Sequence, residues 1–238
     1  MRILLQSITG YPATEAFPGH RLLSAKLIRR AMRVESVQIG QVQDLGDWTT
    51  ATYKYQVPGP VFVHSLGLAG DEFANTKNHG GIDKAVLAGS AAQYPLWRQE
   101  TGNPDWTGGA LGENLTILGL DEATVCVGDT WRFGETLTLQ ISQPRQPCWK
   151  QAKRWGIKDL VVQMIETGRT GWYHRVLTEG PVSPGDEVSL LTRPHPDWTV
   201  ARANQVMHAE KSNAALAQAL CGLAELSASW KHELGRRF

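Results

Sequence analysis

The sequence predicts a mainly β protein, a closed β-barrel with a few helices, followed by a small three-helix domain. Residues 34–191 contain about seven short stretches with alternating apolar and polar residues, separated by Gly/Pro turns. Only two substantial helical stretches interrupt them, which favours an antiparallel or mixed barrel over a βαβ succession. After Pro194 and Pro196 the apolar spacing becomes helical.

Three parts are expected along the chain, with boundaries at residues 1–33, 34–194 and 195–238. The first part carries six basic residues and one acid, Glu15. It is either a targeting segment or a leader upstream of a natural start at Met32. Its apolar run at residues 3–5 is too short for a secretory signal. We therefore interpret it as an N-terminal extension that is disordered or reflects a wrongly assigned start.

Charge and cysteine content argue against several classes of protein. The 24 Lys and Arg balance 23 Asp and Glu, so no global attraction to nucleic acid or membrane is expected. No apolar run approaches the roughly 20 residues that a membrane-spanning helix needs. The three cysteines are odd in number and lack a C-x-x-C pair, which indicates a reducing compartment. We expect a soluble, cytoplasmic protein.

The first half of the body combines strands with a polar loop. Val37, Ile39 and Val42 indicate a first strand. Residues 67–87 form a glycine-rich loop that also carries Asp71, Lys77, His79, Asp83 and Lys84. This loop is either a polar surface turn or a ligand-binding loop. Ser90 is the expected N-cap of the helix that follows, and the GENL stretch at 112–115 leads into a short strand.

The chain is organised around residues 136–149. Leu137, Leu139 and Ile141 alternate with polar residues, which predicts a half-buried strand ending at Pro144. A proline-stiffened loop then carries Arg145 and Cys148. Residues 141–156 contain four cationic residues and no acid, a setting that favours a thiolate. Helices are expected over 157–165 and, after Ser212 and Ser227 as N-caps, in the C-terminal part.

Cys148 is the leading candidate for chemistry, as a nucleophile or as a soft-metal ligand. A catalytic Cys/His pair could use His64, His79 or His174 as its base. Arg145 and Lys84 suit an anion, although both are equally compatible with ordinary surface charge. A metal held by protein ligands alone is poorly supported, because no second Cys or His lies at ligand spacing from Cys148.

A set of short motifs together resembles the MOSC (molybdenum cofactor sulfurase C-terminal) domain, in its YiiM-like branch. The resemblance covers residues 34–191, and the tail after Pro194 is similar to the small three-helix domain of that branch. Residues 1–33 match nothing in the family. The motifs are GDE (70–72), NHGGIDKAV (78–86), GENL (112–115), VGDTWRFG (127–134), ISQPRQPC (141–148), GWYHRV (171–176) and VSPGDEV (182–188).

The resemblance implies a β-barrel that holds a molybdenum cofactor (molybdopterin). The cofactor's dithiolene would supply most of the metal ligands, and Cys148 would be the protein's metal ligand and a catalytic residue. His79 and Glu113 are the other expected catalytic residues, and one or the other would deliver a proton. The implied cofactor-binding residues are Arg145, Lys84, Gly80, Gly81 and Asn114.

The same resemblance implies an oxidoreductase that reduces N-hydroxylated compounds, including hydroxylamino bases. Its partners would be this small-molecule substrate and a separate flavin-type reductase; a homodimer stays open. The alternative is a carrier or sulfur-handling partner for the cofactor, without turnover. Nucleic-acid binding by the C-terminal helices is a third hypothesis, which acidic residues among the basic ones weaken. We expect no nucleic-acid and no membrane partner.

Overall fold

The computed structural model describes residues 32–75 and 79–238. The chain divides into two units, Met1–Ala31 and Met32–Phe238, of which the second is the subject of all that follows. The interpretation of the N-terminal extension therefore lies outside the described residues, as does Lys77. Met32 packs against the main core and Arg33 opens the first strand, so these two residues belong to the described unit.

The described residues contain thirteen β-strands, a single 3-10 turn and six α-helices. The strands are β1 Arg33–Ile39, β2 Gln43–Asp44, β3 Thr49–Thr50, β4 Tyr55–Val57, β5 Val61–His64, β6 Gly67–Leu68, β7 Val86–Ser90, β8 Leu115–Leu118, β9 Thr130–Phe133, β10 Leu137–Pro144, β11 Trp172–Thr178, β12 Gly180–Val182 and β13 Val188–Thr192. The helices are α1 Gln93–Thr101, α2 Trp149–Trp155, α3 Leu160–Thr167, α4 Val200–His208, α5 Ala214–Cys221 and α6 Ala228–Gly235, and the 3-10 turn is Ile82–Lys84.

The prediction of a mainly β protein is confirmed. The largest sheet has eight strands in the order β13-β9-β10-β11-β7-β8-β1-β4. Its neighbours are antiparallel except for the parallel pair β7 and β8. Smaller sheets of three strands (β12-β5-β6) and two strands (β2-β3) complete the β part. The strand order is a row with two ends rather than a ring.

Backbone hydrogen bonds also join residues 32–34, where β1 begins, to residues 185–188, where β13 begins. Val34 N–H donates to Asp186 O at 2.9 Å, Gly185 N–H donates to Val34 O at 2.8 Å, and Val188 N–H donates to Met32 O at 3.0 Å. The large sheet therefore curls until its first strand in sequence contacts one of its end strands.

The main core lies on the inner face of the curled sheet. In β10, Leu137, Leu139 and Ile141 are fully buried while Thr138 and Gln140 are half-buried, as the period-2 pattern predicts. Antiparallel pairing with β11 continues to the end of the strand, where Pro144 lies opposite Trp172. This fixed end determines where the loop carrying Arg145 and Cys148 begins.

The three C-terminal helices pack on a core of their own, formed by apolar residues such as Val206, Leu220 and Trp230. Their N-caps are Thr199, Asn213 and Ser227, whose side chains each accept a backbone hydrogen bond from the first turn. The Ser227 prediction is confirmed, whereas the predicted caps Ser212 and Ser90 are wrong. Asn213 caps α5 instead, and Ser90 is the last residue of β7.

Candidate functional site

A cleft of about 550 Å³ opens beside the end of β10, and its lining includes Lys54, His79, Asn114, Arg145 and Cys148. An adjoining space of about 760 Å³ shares His79 and Cys148 with it and adds Lys84. We call these two spaces together the Cys148 cleft. The structure therefore brings five of the predicted site residues to one cleft: Cys148, Arg145, His79, Lys84 and Asn114.

Cys148 lies at the N-terminus of α2, where it is the N-cap residue in extended conformation. The strand end at Pro144 and the loop that follows carry it to this position. Its thiol is partly exposed and its Sγ lies 3.0 Å from Gln151 Oε1. A thiol in this position can reach a ligand bound in the cleft.

Gln151 is a site residue that the sequence reasoning missed. It is the third residue of α2, its Nε2 donates to Leu111 O at 3.4 Å, and its Oε1 accepts from Cys148. A Gln at this position is typical of a capping box, in which it contacts the N-cap residue. The Cys-x-x-Gln spacing at the start of a predicted helix was the signal that could have identified it.

Arg145 is the best evidence for a ligand in the cleft. Its side chain is buried, with the residue 2% exposed, and its Nη2 donates to Leu111 O at 3.1 Å. Its Nε and Nη1 atoms are buried and have no hydrogen-bond partner among the described residues. Because unpartnered buried N–H groups are costly, a bound acceptor group such as a phosphate oxygen would stabilise this arrangement.

The remaining charges make the cleft predominantly cationic. Its lining contains Lys54, Lys84 and Lys150 besides Arg145, against one carboxylate, Glu72. Lys54 forms an ion pair with Asp71, whose side chain is buried. Burial lowers the pKa of Lys84, and Lys150 Nζ donates to Thr49 O at 2.6 Å. An anionic ligand fits this charge distribution.

His79 is neutral at neutral pH. Burial, and after it the nearby cations Arg145, Lys84 and Lys150, lower its pKa from 6.5 to about 4. Its Nδ1 lies 3.4 Å from the hydroxyl of Tyr173, whose pKa is raised by burial. The imidazole can therefore accept one hydrogen bond and donate another toward the cleft.

The other two histidines of the Cys/His hypothesis lie elsewhere. The side chain of His64 is exposed, with its Nδ1 3.8 Å from Glu179. His174 is buried in the sheet, where its Nε2 accepts from Trp172 Nε1 at 3.2 Å. Among the described residues, this leaves His79 as the histidine that lines the cleft with Cys148.

Glu113, an expected proton donor, does not line the cleft. Its buried carboxylate accepts hydrogen bonds from the Tyr94 hydroxyl, from the backbone N–H of Gly109 at 2.6 Å, and from the Thr116 hydroxyl at 3.1 Å. These contacts hold the 109–113 loop. They favour a structural role for Glu113 over proton delivery. The sequence could not show this, because the adjacent pair Glu113 and Asn114 does not reveal which of the two side chains faces the cleft.

Asn114 lines the cleft through a side chain held on both sides. Its Nδ2 donates to Asp71 Oδ2 at 2.8 Å and its Oδ1 accepts from Leu87 N–H at 3.2 Å.

Gly80 and Gly81 follow His79 with positive φ angles of 78° and 81°, and neither lines the cleft. A Cβ on Gly80 would approach the ring of Phe73, a cleft residue, to 3.2 Å. The glycines therefore shape the loop rather than contact the cleft.

The low pKa of His79 predicts that the folded state loses stability in acid. The unfolded chain binds a proton at His79 near pH 6.5, whereas the folded chain binds it only near pH 4. Stability is therefore fully present above pH 6.5 and decreases as the pH falls toward 4, by at most about 1.4 kcal/mol per pH unit for one group. In urea unfolding, His79→Gln should show a shallower decrease than the parent protein over this range. Identical pH slopes for the two proteins would contradict the prediction.

The comparison with known proteins identifies the class. Residues 75–189 match the MOSC domain, and residues 198–237 match the YiiM-like, 3-alpha helix domain. The chain belongs to the MOSC-domain family, in the group that carries this helical domain, as the sequence motifs predicted. Among the described residues, moreover, the helices are all too short or too polar to cross a membrane.

The chain is also similar to individual proteins of known sequence or structure. It is 41% identical over 182 residues to the uncharacterized protein YflK of Bacillus subtilis, covering 76% of this chain and 81% of YflK. It is 40% identical over 182 residues to a protein of Gibberella moniliformis named reductase, covering 76% of this chain and 31% of the fungal protein. The crystal structure of YiiM from Geobacillus stearothermophilus superposes with a TM-score of 0.76 at 34% identity, covering 87% of this chain and 98% of YiiM.

Proposed function

We propose that this protein binds a molybdenum cofactor in the Cys148 cleft and reduces N-hydroxylated compounds, with electrons from a separate flavin-type reductase. The observation that carries the proposal is the shared cleft of the Cys148 thiol and the buried, partly unpartnered guanidinium of Arg145. Membership of the MOSC family, whose domains are associated with this cofactor, and similarity to a protein named reductase support it.

The residues present fit such a cofactor. The described residues contain no group of three or more His, Cys, Asp or Glu side chains that could hold a metal ion. A metal in the cleft must therefore bring most of its ligands, as molybdenum does when the dithiolene of molybdopterin binds it. Arg145 and Lys84 would hold the phosphate of the pterin, and the thiolate of Cys148 is a soft ligand suited to the metal.

The reaction consumes two electrons and two protons, and converts R–NHOH into R–NH₂ and water. When bound, the cofactor supplies the redox chemistry of N–O cleavage. The chain binds and orients the reactants. We propose that the Tyr173 hydroxyl donates to His79 Nδ1, which leaves the ring N–H on Nε2 to donate a hydrogen bond to the leaving oxygen, while the two protons consumed come from solvent.

Trp149 provides a surface for a planar substrate. It lines the cleft next to Cys148 and is 55% exposed, with the Trp48 ring centroid 5.6 Å away. Stacking of an aromatic ring on such a side chain contributes about 1–3 kcal/mol. Trp149→Ala should therefore raise KM for an aromatic N-hydroxylated substrate about tenfold and change kcat little.

Steady-state kinetics with a pair of N-hydroxylated substrates, one aromatic and one aliphatic, tests this prediction. The matched control is Phe62→Ala, which removes an exposed aromatic ring that does not line the cleft. An equal loss for both substrates in Trp149→Ala would contradict stacking.

The carrier hypothesis remains the alternative, and one observation favours it. The two expected proton donors are not poised for acid catalysis at neutral pH, since His79 is neutral and Glu113 lies outside the cleft. Purified protein loaded with cofactor should be assayed for hydroxylamine reduction with an artificial electron donor. Turnover supports the reductase proposal, whereas retained molybdenum without turnover supports a carrier.

We also propose that the strands close into a β-barrel. The three backbone bonds between residues 32–34 and residues 185–188 support it. Amide hydrogen exchange should then be as slow at Val34 and Val188 as in the middle of β10. Fast exchange at these two amides alone would indicate an open sheet.

A further inference from the structure

The first turn of α6 binds a segment that leads into the cleft. The hydroxyls of Ser227 and Ser229 donate to Gln143 Oε1 at 2.7 and 3.0 Å. The same Gln143 side chain donates through Nε2 to Pro144 O at 3.1 Å. Gln143 therefore connects the C-terminal helices to the peptide directly before Arg145.

The same turn of α6 also binds the 3-10 turn that carries Lys84. The backbone N–H of Ala228 donates to Asp83 Oδ2 at 3.1 Å. Asp83 Oδ1 accepts two bonds from the guanidinium of Arg175, at 2.7 and 3.0 Å. Because Lys84 follows Asp83 directly, the position of this turn determines where Lys84 enters the cleft.

The contacts of Ser227 are shielded from water, whereas Ala228 and Ser229 are exposed. Ser227 is fully buried, Gln143 is 1% exposed, and the backbone N–H of Ser227 donates to Ser142 O at 2.9 Å. Hydrogen bonds in such surroundings restrict the groups that they join more than exposed ones do. The polar contacts lie outside the apolar core of the three helices, so their loss need not disturb that core.

We propose that the first turn of α6 is a positioning element for the anion site, holding Lys84 through Asp83 and Arg145 through Gln143. The C-terminal three-helix domain then has a function in the cleft although none of the residues of its helices lines it. This inference rests on the proposed function insofar as the anion is a cofactor phosphate. The contacts of Ser227, Gln143 and Asp83 themselves do not depend on which anion binds.

A matched pair of cap variants separates positioning from stability. Ser227→Ala and Thr199→Ala each remove an N-cap hydroxyl that accepts a backbone bond, from Trp230 and Arg202 respectively. Both should lower Tm by a few degrees, because a lost cap costs a similar amount in each helix. Of the two hydroxyls, only that of Ser227 also binds Gln143.

The readout is the titration of His79 in the full chain without cofactor, followed by NMR and assigned with His79→Gln. Arg145 and Lys84 both lower the pKa of His79, so loosening them should raise it. We expect a rise of about half a unit or more in Ser227→Ala and no change in Thr199→Ala. Ser229→Ala, which leaves the cap intact, should give a smaller rise. Binding of inorganic phosphate should weaken in the same order.

An unchanged His79 pKa in both Ser227→Ala and Ser229→Ala would overturn the inference, as would an equal rise in Thr199→Ala. Arg145→Gln distinguishes this failure from failure of the proposed function. If Arg145→Gln leaves phosphate binding unchanged, the anion site itself is wrong. If it abolishes binding while the serine variants do not affect it, the site stands and the positioning inference is wrong.

Discussion

Replacing Cys148 by serine is expected to abolish most of the proposed reductase activity toward N-hydroxylated compounds, with a loss in kcat of more than about 100-fold. Mutating the outer partners of metal ligands already costs roughly 10–100-fold in affinity or activity, and a direct ligand should cost more. A serine hydroxyl is also a harder, less readily ionised ligand than a thiolate. The measurement is steady-state kinetics on cofactor-loaded protein, normalised to molybdenum content.

Cys221→Ser is the control for this prediction. Cys221 is a partly buried thiol at the end of α5, and its Sγ contacts the Lys231 carbonyl oxygen at 3.5 Å, outside the cleft. It should retain full activity. Because Cys148 is partly exposed, both variants should melt within a few degrees of the parent protein. Full activity in Cys148→Ser would exclude the thiol from the chemistry.

Replacing Arg145 by methionine is expected to separate stability from cofactor binding. Hydrogen bonds to charged groups contribute about 1.5–3 kcal/mol, so cofactor affinity should fall about 10- to 100-fold. Without cofactor, however, Nε and Nη1 of Arg145 are buried without partners among the described residues. Removing them takes away a desolvation cost, so Tm of the cofactor-free variant should be equal to or higher than that of the parent protein.

Arg169→Met is the matched control for Arg145. Its guanidinium carbon lies 4.0 Å from the centre of the Trp97 ring, and it forms an ion pair with Glu100 at 2.7 Å, outside the cleft. Its removal should lower Tm and leave cofactor affinity unchanged. A lower Tm for cofactor-free Arg145→Met, with unchanged affinity, would show that Arg145 is a structural residue.

The local pattern of the chain predicted the strand that organises the site. Alternation in residues 137–141 and the prolines at 144 and 147 were sufficient to place Arg145 and Cys148 on a loop after a strand. Strand periodicity and proline restrictions act over a few residues and are therefore visible in sequence. The motif order likewise predicted the family that the comparisons show.

Contacts between distant segments could not be predicted in the same way. Lys54 and Asp71 are an ordinary pair of charges in sequence, yet they form a buried ion pair, and Lys54 lines the cleft. Gln143 and Ser227 lie 84 residues apart, and their contact depends on how α6 docks on the sheet. The position of Glu113 outside the cleft could not be predicted for a similar reason, since its orientation follows from the hydrogen bonds of the 109–116 segment.

X-ray absorption at the molybdenum edge of cofactor-loaded protein tests the central claim most directly. We expect the parent protein to have one more sulfur ligand on molybdenum than Cys148→Ser does, with equal molybdenum content when both are loaded in excess cofactor. Identical sulfur coordination in the two proteins would contradict the assignment of Cys148 as the protein's ligand to the metal.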